Sequence, residues 1–238
     1  MKNKIKLFGA AIFIIAVSCS KSNDPGTSTG VSLSFKGTTI APAIVKSSGT
    51  DTYLFTEALM GIKEIELKKE DEEFDDGDMN FNFDGNYLVD LLAGTTSPAL
   101  GFAELTPGTY NKFESRTAQL LEGGNSISLK GTLTDAGGTP YSFEFSTTSE
   151  IKFEFESDSA FVITEGTVHD MLVNINLPVL FDGIDFSKAV TDGNGLILIN
   201  DTSNTDMAMI IKSNIDHAAE MENENENEHE TEHDSGKK

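Results

Sequence analysis

Two histidines near the C-terminus enclose a glutamate in the order His229-Glu-Thr-Glu-His233. On a helix this spacing places both imidazoles on one face, where they can bind zinc while the glutamate activates a water molecule. The surrounding residues 222–234 contain no apolar side chain, so the segment cannot build the dry, shaped cavity that metal catalysis needs. We therefore predict no catalytic residue here, and we limit any zinc binding by His229 and His233 to the loose kind typical of His-rich tracts.

A second stretch carries an oxygen-bearing side chain at every second position, namely Asp76, Asp78, Asn80, Asn82 and Asp84. Such oxygens are the ligands that calcium prefers. An EF-hand loop does not fit, because with Gly85 at its sixth position Leu91 falls where the bidentate glutamate belongs. The apolar residues between these side chains also fit a strand with one buried face. Calcium binding is therefore an alternative to a plain strand.

His169 is the third candidate, and it is followed by Asp170. It shares the parity of the apolar residues that alternate up to Leu177, which predicts a histidine at the edge of the core. The segment Asp192-Gly-Asn-Gly195 has the composition of a turn rather than of a dinucleotide motif. With no nucleophile elbow and no Gly-rich phosphate loop in the sequence, we predict that the protein is not an enzyme and needs no cofactor.

Composition excludes some partners. The 238 residues include 17 basic and 39 acidic ones, for a net charge of −22. Loss of the first 18 residues would remove three lysines, leaving 14 basic residues and a charge of −25. Nucleic acid requires a basic surface, so it is not expected as a partner. The same charge disfavours a domain that lies flat on an anionic membrane.

The N-terminus has the pattern of an export signal. Lys2, Lys4 and Lys6 precede an apolar run of eleven residues, 7–17. A basic start, a short apolar run and small residues at a cleavage site are typical of a secretory signal peptide. The run is shorter than the roughly 20 residues that a membrane-spanning helix needs. We therefore predict that residues 1–18 are a signal peptide.

Cys19 is the only cysteine, so it cannot form a disulfide within the chain. The segment Ala16-Val-Ser-Cys19 resembles the bacterial lipobox, although most lipoboxes have leucine where Ala16 stands. The resemblance implies a diacylglyceryl group and an N-acyl chain on Cys19, which together hold firmly to a membrane. Residues 19–30 are polar and predict a flexible tether. Ser20, in place of a retention aspartate, implies the outer membrane, and the side that the domain faces stays open.

The rest of the chain is dominated by period-two alternation. Apolar and polar residues alternate at 126–134 and 141–146 around the turn 135–140, which predicts a β-hairpin. Further strands are predicted at 31–35, 79–83, 87–92, 102–105, 110–119, 151–156, 160–164, 168–177 and 196–200. Residues 55–69 change parity midway, which a β-bulge would explain. These patterns predict an all-β, antiparallel β-sandwich.

One short helix is predicted near the C-terminus. The segment Ser203-Asn-Thr-Asp206 suggests a capping box. Met207, Ile211 and Ile215 recur four residues apart, as one buried stripe requires.

Three segments together resemble a family of bacterial envelope lipoproteins, the domain of unknown function 4382. They are Tyr87-Leu-Val-Asp-Leu-Leu-Ala-Gly94, Ala103-Glu-Leu-Thr-Pro-Gly-Thr-Tyr110 and Leu129-Lys-Gly-Thr132. The resemblance covers residues 31–200 and implies a β-sandwich. It implies no established chemistry and no functional residues.

We therefore predict a signal peptide at 1–18, a tether at 19–30, a β-sandwich domain at 31–216 and a disordered acidic tail at 217–238. Removal of residues 221–238 is expected to leave the fold intact. The predicted function is a non-catalytic lipoprotein of the cell envelope, anchored to the outer membrane through Cys19, whose β-sandwich is a binding or structural module with an envelope or extracellular partner. The alternative is a module that binds divalent cations, calcium or zinc, through the Asp/Asn-rich stretch or the tail.

Overall fold

The computed structural model describes residues 28–39, 51–69 and 82–223. The strands are β1 (Gly30–Thr38), β2 (Thr52–Lys69), β3 (Phe83–Asp90), β4 (Thr95–Ser97), β5 (Phe102–Glu104), β6 (Gly108–Thr117), β7 (Ile127–Thr134), β8 (Pro140–Thr147), β9 (Lys152–Ile163), β10 (Val168–Asn176), β11 (Ile197–Ile199) and β12 (Ala219–Asn223). The helices are α1 (Thr205–Ser213) and the single turn α2 (Ile215–Ala218).

The strands form two sheets that share one core. The smaller sheet has the order β12-β10-β1-β5, and the larger runs β11-β8-β7-β2-β3-β4 with β6 and β9 attached beside β2. Phe35 of β1 meets Phe113 of β6 edge to face across the core, with ring centroids 6.1 Å apart. The predicted all-β sandwich is confirmed.

The sheets are mixed rather than purely antiparallel, since β1 pairs with β10 and β8 with β11 in parallel. Antiparallel pairing is expected where a tight hairpin joins two strands. These partners are far apart in sequence, so no hairpin fixes their direction.

Strand β2 contains the predicted bulge. Its register against β3 shifts between Lys63 and Ile65, and Glu64 between them has a φ of 55°. Met60 and Ile62 before the shift and Ile65 and Leu67 after it are all buried. The extra residue therefore lets both halves of one strand face the same core although their parities differ.

The two ends of the sandwich differ. Tyr53 near the start of β2 packs against Phe181, which closes a 3₁₀ turn (Leu177–Phe181) directly after β10. The start of β2 and the end of β10 therefore lie at one end, which we call the distal end. Because β1 runs parallel to β10, its first residue Gly30 lies at the other end, which we call the entry end.

The predicted apolar stripe is present but runs from α1 into α2, and the predicted capping box is absent. Ile211 and Ile215 are buried and Met207 is half-buried. The residue before the helix is Asn204, in the left-handed conformation, and its side chain does not cap the helix. Its Oδ1 instead accepts a hydrogen bond from Val190 N. Its Nδ2 donates to the carbonyl oxygens of Val190 and Leu198. Asn204 is thus used to join the helix to the preceding loop and to β11.

The predicted boundary at residue 217 lies too early. Residues Ala219–Asn223 form β12 against β10, and Met221 is only 5% exposed. The outward-facing Glu220 and Glu222 both accept hydrogen bonds from the Asn174 amide. The alternating acidic residues predicted a disordered tail. Up to Asn223 they instead belong to an edge strand whose Met221 side chain is buried in the core.

Removal of residues 224–238 is expected to leave the melting temperature unchanged, because the sequence there offers no apolar group to bury. Removal of 219–238 should lower the free energy of unfolding by about 2–5 kcal/mol, the usual cost of losing a buried methionine side chain. Thermal unfolding followed by circular dichroism distinguishes the two truncations. Equal melting temperatures would contradict the role of β12.

Candidate functional site

A groove of about 390 Å³ lies on the outer face of the larger sheet. Its floor is formed by polar residues of β2, β7 and β8, and its apolar lining comes from Phe145 and five leucines, Leu59, Leu88, Leu120, Leu121 and Leu198. The loop 118–125 forms one wall. We call this site the outer-face groove.

A row of three charged residues crosses the floor on neighbouring strands. Glu57, Lys130 and Glu144 are paired in register, with Lys130 in the middle. The Glu57 carboxylate accepts hydrogen bonds from the Ser128 hydroxyl at 2.6 Å and from Lys130 Nζ at 3.3 Å. Glu144 is half-buried, and its carboxylate forms no hydrogen bond or ion pair with any described residue. The row therefore carries a net negative charge, with one carboxylate available to a ligand.

The wall exists because β2 has a glycine where the loop crosses it. Gly61 donates a backbone hydrogen bond to the Ser126 carbonyl oxygen and accepts one from Ala118 N, both at 2.8 Å. A Cβ at this position would overlap the Ala118 carbonyl oxygen and stand 3.1 Å from Leu120 Cβ. The connection between β6 and β7 can therefore leave the sheet plane and fold over the outer face.

The tip of this loop is closed by its own contacts. Leu121 N donates to the Asn125 carbonyl oxygen and the Asn125 amide donates to the Glu122 carbonyl oxygen, both at 2.9 Å. Gly123 and Gly124 both have positive φ, which permits the tight turn between these contacts. Sequence reasoning missed this wall, and the only local signal was a Gly-Gly pair between two predicted strands.

A second polar feature lies on the outer side of β6. The Glu114 side chain is 1% exposed, with carboxylate oxygens 3.4 Å from Lys152 Nζ and 4.0 Å from Lys68 Nζ. Lys68 also lies 3.7 Å from Glu66, and Lys152 lies 3.3 Å from Glu154. We call these five residues the buried ion cluster. It joins β2, β6 and β9 side by side.

Two of the predicted calcium ligands lie within the described residues. Asn82 Oδ1 accepts a hydrogen bond from Leu67 N at 2.7 Å, which gives this side chain a role in closing β2 onto β3. The Asp84 side chain is exposed, and its backbone oxygen accepts a hydrogen bond from the Tyr87 hydroxyl. Burial, together with the Asp84 carboxylate, raises the pKa of Tyr87.

The remaining predicted site residues, Cys19, Asp76, Asp78, Asn80, His229 and His233, lie outside the described residues. Within 28–39, 51–69 and 82–223, no group of three or more His, Cys, Asp or Glu side chains could hold a metal ion. Calcium and zinc binding therefore stay predictions.

His169 lies at the edge of the core, as predicted. Its ring meets Phe161 edge to face at 5.3 Å, and its Nε2 is 3.4 Å from the Thr164 hydroxyl. Asp192 accepts hydrogen bonds from the backbone of Asn194 and Leu196, which confirms the predicted turn.

Comparisons with models of protein families, with curated proteins and with solved structures gave no match. The family resemblance of the three sequence segments therefore stays a prediction. None of the helices in the described part of the chain is long and apolar enough to cross a membrane.

Proposed function

We propose that this protein is a non-catalytic lipoprotein of the outer membrane, anchored through Cys19, whose β-sandwich binds a ligand in the outer-face groove. The observation that carries the binding role is the half-buried Glu144 carboxylate, which has no described partner and lines a groove of mixed polar and apolar residues. The groove also has the volume of a small-molecule site, since such sites commonly occupy cavities of roughly 300–1,000 Å³.

The lining indicates the ligand class. Glu57 is already held by Ser128 and Lys130, so its carboxylate is engaged within the protein. Glu144 can take a cationic group or another strong donor, because Lys130 does not reach it with an ion pair. The five leucines suit an apolar segment of the same ligand. The groove therefore favours a small amphipathic molecule with a positively charged head over one with a carboxylate.

Two probes of equal chain length test this preference. Hexylammonium should bind the purified domain more tightly than hexanoate in isothermal titration calorimetry. Glu144→Gln should weaken hexylammonium binding about tenfold or more, since a hydrogen bond to a charged group contributes about 1.5–3 kcal/mol. Glu165→Gln, which removes an exposed carboxylate outside the groove, is the matched control. Equal binding of the two probes, or no effect of Glu144→Gln, would refute the assignment.

The anchor is tested separately. Cys19→Ser should abolish incorporation of labelled palmitate and move the protein from the membrane to the soluble fraction, because no acyl chain remains to hold it. Ser20→Ala, one residue away, should leave both readouts unchanged. Retention of Cys19→Ser in the membrane fraction would show that something other than a lipid on Cys19 holds the protein.

A further inference from the structure

We propose that the entry end of the sandwich rests on the bilayer surface, with Phe102 and Val168 in contact with the lipid. This inference rests on the proposed lipid anchor, because it concerns how the anchored domain is oriented. It is carried by three features of the entry end: the fixed position of the chain before β1, the apolar side chains around Gly30, and the length of chain back to Cys19.

The chain enters the domain at a fixed point. Thr29 O accepts a hydrogen bond from Leu105 N at 3.1 Å, and Thr29 Oγ1 accepts one from Gly166 N at 2.8 Å. Gly30 N donates to the Thr167 carbonyl oxygen at 3.2 Å. The segment is thus held between the start of β10 and the loop after β5, so a lipid upstream of it constrains this end of the domain.

Two apolar side chains flank this point on the outer face of the smaller sheet. Val168 is the register partner of Gly30 on β10, and Phe102 pairs with Ser32 on β5. The Phe102 ring lies over Gly30, since a Cβ on that glycine would stand 2.7 Å from Phe102 Cζ. Phe102 is 41% exposed and Val168 is 42% exposed. A glycine in β1 thus leaves room for an aromatic ring beside the second apolar residue.

The positions of the exposed apolar residues favour the entry end over the distal end as the site of lipid contact. Six large apolar side chains are exposed among the described residues, and three of them lie on this side: Phe102 with its ring over Gly30, Val168 opposite Gly30 on β10, and Val162 near the end of β9, just before the turn into β10. Leu54, 66% exposed, lies instead near the distal end. An amphipathic end of this kind is suited to the interfacial region of a bilayer, where aromatic and apolar side chains meet water.

The chain between Cys19 and the domain is short, which places the entry end nearest the anchor. Ten residues separate Cys19 from Gly30, so the two residues lie at most about 40 Å apart, at about 3.6 Å per residue of fully extended chain. Strand β1 then runs nine residues away from the entry end, about 30 Å at the usual rise. Along the chain, the entry end is therefore the part of the domain nearest the lipid anchor, and the distal end lies the length of β1 farther away.

The charges beside Phe102 and Val168 indicate which kind of lipid headgroup the entry end contacts. Glu104 pairs with Gly30 and Asp170 pairs with Ser32, so both acids lie beside the apolar residues. Two carboxylates disfavour an anionic surface. We therefore assign the contact to a zwitterionic headgroup surface. In this orientation the outer-face groove opens sideways, free to accept a ligand.

The absence of tryptophan makes the test clean. The chain contains no tryptophan, so Phe102→Trp introduces a single indole at the entry end. Leu54→Trp provides the matched control at the distal end. Both variants are purified as the lipidated full-length protein and incorporated into phosphatidylcholine vesicles that contain bromine-labelled lipid. Vesicle flotation reports anchoring, and quenching of tryptophan emission reports contact with lipid.

The expected result is flotation of both proteins and severalfold stronger quenching of the indole at position 102 than at position 54. Replacing a third of the lipid by phosphatidylglycerol should reduce that quenching. Flotation with equal quenching at the two positions would overturn the orientation alone. Failure to float would overturn the lipid anchor and the orientation with it. Val168→Trp serves as the second probe if Phe102→Trp lowers the melting temperature.

Discussion

Replacing Glu114 by leucine is expected to lower the free energy of unfolding by about 3 kcal/mol. Removing one member of a buried ion pair usually costs about 3–5 kcal/mol, because the opposite charge is left in a poorly solvated place. Glu114 is fully buried on the central strand of the buried ion cluster, between Lys68 and Lys152. The lower end of the range applies because Lys68 keeps Glu66 and Lys152 keeps Glu154.

A double-mutant cycle identifies the cause. Lys68→Leu combined with Glu114→Leu should be less destabilised than the sum of the two single variants, since no unmatched charge remains at that contact. Urea unfolding measures all four proteins. Lys188→Met, which removes an exposed ion pair with Asp185, should leave the unfolding midpoint unchanged. Strictly additive effects of Lys68→Leu and Glu114→Leu would contradict a direct charge interaction.

The local patterns of the sequence were sufficient to predict the class of fold. The alternation at 126–134 and 141–146 corresponds to β7 and β8, which pair in register across the turn. The change of parity in β2 indicated its bulge at Glu64. Both features depend on the two-residue period of a strand and on one buried face, so a short window of sequence contains the information.

Long-range pairing could not be predicted in the same way. Residues Ala219–Asn223 contain a single large apolar side chain, Met221, and look locally like the acidic segment that follows. Their strand conformation is stabilised by β10, more than forty residues earlier. The buried ion cluster was missed for the same reason. Alternating Lys and Glu on a strand indicate a solvated face, and only the register of three strands places Glu114 among four other charges.

The outer-face groove also depends on distant contacts. Glu57, Lys130 and Glu144 belong to three strands and match no motif, so their alignment follows from register alone. The motifs that sequence reasoning did single out, the Asp/Asn-rich stretch and the two C-terminal histidines, fall largely outside the described residues. A chemical motif can be recognised in a sequence when its members are close together in the chain. The charged residues of the groove are far apart in the chain, so they form no such motif.

Gly61→Ala is expected to lower the free energy of unfolding by about 1–3 kcal/mol, the usual cost of forcing extra atoms into a packed site. The new methyl group would overlap the Ala118 carbonyl oxygen, and the loop 118–125 could relieve the overlap only by moving outward. That movement would break the hydrogen bond between Ala118 N and Gly61 O.

The same substitution should remove ligand binding beyond what the loss of stability explains, because the displaced loop is the wall of the groove. Hexylammonium binding to Gly61→Ala should be undetectable at temperatures where circular dichroism shows the variant fully folded. Gly193→Ala is the matched control, since Gly193 has an ordinary φ and open space around it. It should change neither stability nor binding, apart from a small gain from reduced freedom of the unfolded chain. A folded Gly61→Ala protein that binds hexylammonium normally would show that the 118–125 loop is not part of the binding site. The groove would then have to be redefined on the sheet residues alone.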